Sequence, residues 1–182
     1  MPKHPGPKPA ASSTMSFLHS LCRILGVLLA FAAVPALRSE VKVGDRFPSL
    51  EGAGLAGSLP QTRGQVVLVD FWASWCEPCR ASFPAYARIH ADFAARGLVI
   101  VAVSVDEKPA AYSAFLKRNE PPFSTVRDQD RKLVQEVRVP AMPTSYLIDR
   151  EGRVRFIHPG FHGWETEARL RSEIETLLSG RP

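Results

Sequence analysis

Cysteine is scarce in this sequence: three in 182 positions, at Cys22, Cys76 and Cys79. So few thiols exclude a scaffold stapled by several disulfides, and a bridge spanning only Cys76 to Cys79 would close almost no loop entropy. The pair is therefore retained for reactivity rather than stability. Acidic residues are absent from positions 1–36, which hold Lys3, Lys8 and Arg23. The formal charge of +5 shrinks accordingly, leaving 20 basic against 18 acidic residues beyond position 36. That balance is too even for a nucleic-acid footprint, so no nucleic-acid partner is expected. Long hydrophobic runs are missing too. The apolar stretch 24–34 falls short of the roughly 20 residues a membrane span needs. After residue 40 there are no internal repeats and no low-complexity tracts.

What stands at the N-terminus reads as a leader. Met15, His19 and Arg23 precede the apolar stretch, and Val34-Pro35-Ala36 places small residues where a signal peptidase cuts. The expected division is a signal peptide over residues 1–36, with Met15 an alternative start, and one folded domain over 37–182. An uncleaved leader would act as a short anchor and be the chain's sole contact with a membrane. Cys22 precedes the apolar stretch instead of following it, which excludes it as a lipid-attachment cysteine. Export leaves Cys76 and Cys79 as the thiols of the mature protein.

From about residue 41 strand-like and helix-like patterns alternate. Residues 66–72 and 98–103 are continuous apolar runs rich in Val and Ile, the pattern of strands buried on both faces. Between them a helix is predicted from Glu77 to Arg96, buried through Phe83, Ala87, Ile89 and Phe93 and stopped by Gly97. Two such strands joined by a helix form a right-handed βαβ unit with parallel pairing. Further helices are predicted over 109–119, 130–137 and 164–178, and a short strand over 123–126. Residues 144–149 and 153–157 flank Arg150-Glu151-Gly152 as a hairpin. The fold class is α/β, a central mixed β-sheet with helices on both faces.

Cys76-Glu77-Pro78-Cys79 falls at the junction of strand and helix. Unpaired backbone N–H groups and the helix dipole at such a position favour thiolate over thiol, and cysteine pKa values there fall to roughly 3.5–7. Cys76 is thus placed to attack a disulfide, and Cys79, one turn on, to resolve the adduct. Pro78 is tolerated because its missing N–H would have had no partner in the first turn. A zinc site needs four ligands, and beyond the pair only His90, His158 and His162 are available after the leader. The histidines at 158 and 162 bracket Pro159-Gly160 and read as surface residues of a turn, so neither a resident metal nor a cofactor is expected. Asp70, inside an apolar strand, is expected to be desolvated and to hold its proton to unusually high pH.

The segment Val69-Asp70-Phe71-Trp72-Ala73-Ser74-Trp75-Cys76-Glu77-Pro78-Cys79-Arg80 resembles the active-site segment of the thioredoxin superfamily. Pro84 matches that family's helix-kinking proline, Ala141-Met142-Pro143-Thr144 its cis-proline loop, and Gly160 its glycine after the last strand. The resemblance spans residues 41–179. A β-rich entry expected at residues 47–59 is similar to the exported TlpA/ResA-like branch, so a thioredoxin-like fold with an N-terminal β extension is implied. The resemblance also implies Cys76 as nucleophile, Cys79 as resolving thiol and Asp70 as the buried acid that exchanges a proton with Cys79 through water. Pro143 would lie in cis against the disulfide, Met142 would pair with a substrate chain, and Trp75 would cover the site as an apolar contact. Ser82 departs from the pattern, since many members of this branch carry an acid there.

The function implied is a periplasmic thiol:disulfide oxidoreductase, acting as a protein disulfide reductase and serving cytochrome c maturation. Its partners would be disulfide-bonded proteins and a membrane thiol transporter that supplies electrons. Two other readings use the same cysteines: a peroxiredoxin-like peroxidase, and a copper-binding chaperone with Met142 or a histidine as a further ligand. Trp75 directly before Cys76, and a second cysteine close behind, depart from the peroxidase pattern of a Thr or Ser in a Pro-rich loop.

Overall fold

In the computed structural model, residues 1, 2, 6 and 40–180 are described, and residues 40–180 belong to one compact unit. The leader expected at 1–36 lies outside the described residues apart from three positions. Five strands form the sheet: β1 (Val66–Trp72), β2 (Leu98–Ser104), β3 (Ser124–Arg127), β4 (Thr144–Ile148) and β5 (Val154–Pro159). The helices are α1 (Glu77–Phe93), α2 (Pro109–Asn119), α3 (Lys132–Val137) and α4 (Trp164–Leu178). Strand order is β3-β2-β1-β4-β5. β1 and β2, and β2 and β3, pair parallel; β1 and β4, and β4 and β5, pair antiparallel. The mixed sheet is the one expected from a βαβ unit followed by a hairpin.

β1 is central and every residue in it is buried, which is why its sequence shows no polar–apolar alternation. α1 ends in a single 3-10 turn, Ala94–Arg96, and Gly97 closes it at φ 102°, a left-handed conformation that suits glycine. The buried stripe of α1 is Cys79, Ser82, Phe83, Ala85, Tyr86, Ile89 and Phe93. Tyr86 therefore takes the core position expected for Ala87, which is only half-buried. Three- and four-residue steps from Cys79 lead to Ser82, Phe83 and Tyr86, so all of them face β1.

The entry segment departs from the β-rich expectation. Residues 47–59 form turns, and among the described residues the only strand-like pairings near them are two isolated bridges, Arg46 with Arg153 and Ala56 with Arg127. Pro48, Gly52, Gly54, Gly57 and Pro60 interrupt the run, and Gly54 and Gly57 sit at positive φ. The bridges lie beside β5 and on β3, so the segment reaches both edges of the sheet. It is anchored by Phe47 and Leu50 in the core and not by a ladder of its own. No described helix is long and apolar enough to cross a membrane.

Candidate active site

The carboxyl end of β1 and the amino end of β4 lie side by side, because Phe71 pairs with Thr144 and Asp70 with Ser145. The loop after β1 carries Trp75 and Cys76, and the loop before β4 carries Met142 and Pro143. The register thus brings the two segments singled out in the sequence to one end of the sheet. The Met142-Pro143 peptide bond is cis. Gly160, at φ 80°, donates its N–H to the Pro143 carbonyl at 2.7 Å and fastens the end of β5 to the same loop.

Cys76 is the N-cap of α1 and Cys79 sits in its first turn, with a disulfide joining them. The Cys79 N–H points at Cys76 Sγ over 3.3 Å. After reduction that donor and the helix N-terminus would stabilise a thiolate on Cys76. Glu77 and Pro78 occupy the first two helical positions and are exposed. Cys76 is 6% exposed and Cys79 fully buried, so a partner can reach Cys76 first. Trp75 next to it is 71% exposed, which excludes simple core packing for its ring. A groove of about 220 Å³ runs beside it, between Val105, Glu107, Lys108 and Arg131.

The turn that presents Trp75 and Cys76 is held by Asp106, a buried residue just past β2. Its carboxylate accepts the Ser74 N–H at 3.1 and 3.2 Å, the Ser74 hydroxyl at 2.8 Å and the Ser104 hydroxyl at 2.8 Å. Sequence reasoning passed over Asp106. The available signal was an acid two residues beyond a buried strand, at the height of the Cys-x-x-Cys loop.

Asp70 is fully buried on β1. Its Oδ1 accepts hydrogen bonds from the Tyr86 hydroxyl at 2.9 Å and the Ser145 hydroxyl at 2.9 Å. Its Oδ2 has no partner. Burial raises its pKa to about 7, with the Ser145 and Tyr86 hydrogen bonds pulling the other way. Ser82 is buried and donates to the Cys79 carbonyl at 2.8 Å. His158 corrects a further expectation: it is no surface residue. Its side chain is 12% exposed and its Nε2 lies 2.6 Å from Glu173 on α4. His162 is exposed, and no group of three or more His, Cys, Asp or Glu among the described residues is placed to hold a metal.

Comparison with known proteins agrees with this geometry. The AhpC/TSA family matches residues 43–157. The thiol-disulfide oxidoreductase ResA of Bacillus subtilis (strain 168) is 34% identical over 127 residues, 68% of this chain and 71% of that protein. A ResA of Bacillus cereus is 28% identical over 137 residues, covering 74% and 79%. A crystal structure assigned as a thiol:disulfide interchange protein DsbE from Chlorobium tepidum superposes with a TM-score of 0.70 at 35% identity, covering 76% of this chain and 99% of that one. This chain belongs to the AhpC/TSA family of thioredoxin-fold proteins and is a ResA-like thiol-disulfide oxidoreductase.

Proposed function

We propose that the protein is exported through its first 36 residues and works in the periplasm as a protein disulfide reductase serving cytochrome c maturation. The observation that carries the thiol-disulfide exchange is the disulfide-linked Cys76/Cys79 pair at the start of α1, with the half-satisfied Asp70 carboxyl buried on β1, the strand that leads into it. The names of the ResA and DsbE relatives support the same reading.

The steps follow from the positions. The Cys76 thiolate attacks one sulfur of a substrate disulfide; that S–S bond breaks, and the first substrate thiolate leaves and takes a proton. The Cys79 thiol gives its proton to Asp70 and attacks Cys76 Sγ, releasing the second substrate thiol. Two electrons have passed to the substrate, and the Cys76–Cys79 disulfide is left behind. A dithiol partner must then reduce it. In an oxidising compartment that partner is a membrane thiol transporter drawing on cytoplasmic electrons. Met142 and Pro143 flank the exchange where an extended substrate chain would lie, and Trp75 supplies an apolar contact.

Direction is set by potential, and equilibrium titration of the Cys76/Cys79 couple against glutathione or dithiothreitol measures it. A reductase is expected near about −250 mV or below. A value near the oxidising extreme of about −120 mV would sink the reductase assignment and leave an oxidase built from the same residues.

A further inference from the structure

Four aspartates are buried among the described residues, and one is held differently from the rest. Asp106, Asp128 and Asp149 each accept at least one backbone N–H. Asp70 is given hydroxyls instead, and both bond the same oxygen. The two hydroxyls come from separate elements, Tyr86 from α1 and Ser145 from β4, and they lie 2.8 Å from each other. The Tyr86 ring is fully buried, with its edge toward Phe123 at 6.3 Å and Phe161 at 6.2 Å, so the phenol is held in place. Ser82, one turn nearer Cys79 on the same buried face of α1, donates its proton to the Cys79 carbonyl instead.

We infer that Tyr86 and Ser145 are positioning residues for the thiol chemistry: they clamp Asp70 Oδ1 from two elements and leave Oδ2 as the atom that exchanges the Cys79 proton. The inference rests on the reading of Asp70 as the base for Cys79. Burial favours the protonated carboxyl, whereas both hydroxyls stabilise the carboxylate. Without them the carboxyl would keep its proton at neutral pH and could not accept another. Tyr86 does not compete for that role, because burial and the neighbouring Asp70 charge push its own pKa well above the ordinary tyrosine value.

Few other ionisable groups face this carboxyl. β2 presents Ala102 in register with it. From α1 come Tyr86 and, two turns up the same face, Cys79. α4, which packs against β1, buries Leu170 and Ile174, and its Glu173 engages His158. β5 places His158 beside Ser145 in the sheet register.

The test uses the reduced full-length protein. The Asp70 carboxyl is titrated by carbon-13 NMR, and the second thiolate release from 5,5′-dithiobis(2-nitrobenzoate) is timed as Cys79 resolves the Cys76 adduct. Tyr86→Phe keeps the ring and removes the hydroxyl, and Ser145→Ala removes one oxygen. Each is expected to move the Asp70 midpoint upward by about one pH unit, because a hydrogen bond to an ionised group is being lost. The pH profile of resolution should move with it, at an unchanged limiting rate. His158→Gln, which removes the neighbouring imidazole, is expected to leave the midpoint in place. A fixed Asp70 midpoint in either hydroxyl variant overturns the inference and reduces that residue to packing. Asp70→Asn separates the two layers of the argument. If its resolution profile equals the parent's while the hydroxyl variants still move the carboxyl midpoint, the base reading fails and the clamp has no part in resolution. Should Tyr86→Phe not fold, Ser145→Ala carries the same readout.

Discussion

The solvent side of α1 and its buried side both engage carboxylates, and they treat them in opposite ways. On the solvent side Arg88 bonds Glu167 of α4 through two nitrogens at 3.2 and 2.5 Å, and Arg171 reaches Asp92 at 2.6 Å and Glu167 at 3.1 Å. The hydrogen bond from Arg88 holds the Glu167 carboxyl below the usual carboxylate range. On the buried side Tyr86 reaches Asp70, where no cation among the described residues pairs with the charge, one oxygen has no partner, and burial raises the pKa to about 7. The seam between α1 and α4 is ordinary surface electrostatics. The inner carboxyl opposes folding whenever it ionises, and perturbed groups of this kind cluster at functional sites.

The sign of the inner cost follows from linkage. Asp70 keeps its proton in the folded chain up to about pH 7, whereas the unfolded chain releases it near pH 4. The folded state thus binds the extra proton between those values, and stability falls as pH rises through that window, levelling off above about 7.

Replacing Asp70 with Asn is the larger perturbation of this contrast. The stability of Asp70→Asn relative to the parent should improve by up to about 4 kcal/mol between pH 4 and pH 8, at about 1.4 kcal/mol for each pH interval of one that separates the folded and unfolded midpoints. Denaturant unfolding at the two pH values measures it, and taking the difference cancels the fixed cost of burying an amide. A pH-independent difference would mean that the carboxyl titrates normally. Glu167→Gln on the outer side is the smaller one. It should cost less than about 1 kcal/mol, shrink further in high salt and leave the potential of the cysteine pair unmoved. A larger, salt-insensitive loss would erase the distinction between the two sides.

Much of this contrast was legible in the sequence, and the missing part has a physical reason. Asp70 inside an apolar run, the Cys-x-x-Cys pair at the strand end and the Met142-Pro143 loop all announce themselves through local pattern. The runs at 66–72 and 98–103 could be read as strands because burial on both faces leaves no alternation to confuse. Tyr86 and Ser145 could not be tied to Asp70 in this way. A tyrosine on a buried helical stripe reads as packing, and a serine in a short strand carries no signal until the β1–β4 register sets it opposite Asp70. His158 was misread for the same reason, since its partner Glu173 lies on a helix whose placement depends on the whole sheet. The entry segment failed differently: its apolar residues are anchored singly in the core, and a local pattern of strand-like residues does not reveal that no ladder forms.

The claim that the inner carboxyl serves Cys79 is tested most directly by the pH dependence of a single resolution event. The reduced parent and Asp70→Asn are mixed with 5,5′-dithiobis(2-nitrobenzoate) from pH 5 to 9, and the second thiolate release is followed. In the parent the rate should rise with a midpoint near pH 7, matching the Asp70 titration. In the variant that step should vanish and resolution near neutrality should slow roughly 100-fold, the usual scale for losing a general base. Superimposable profiles for the two proteins would contradict the account and leave Asp70 a buried structural acid.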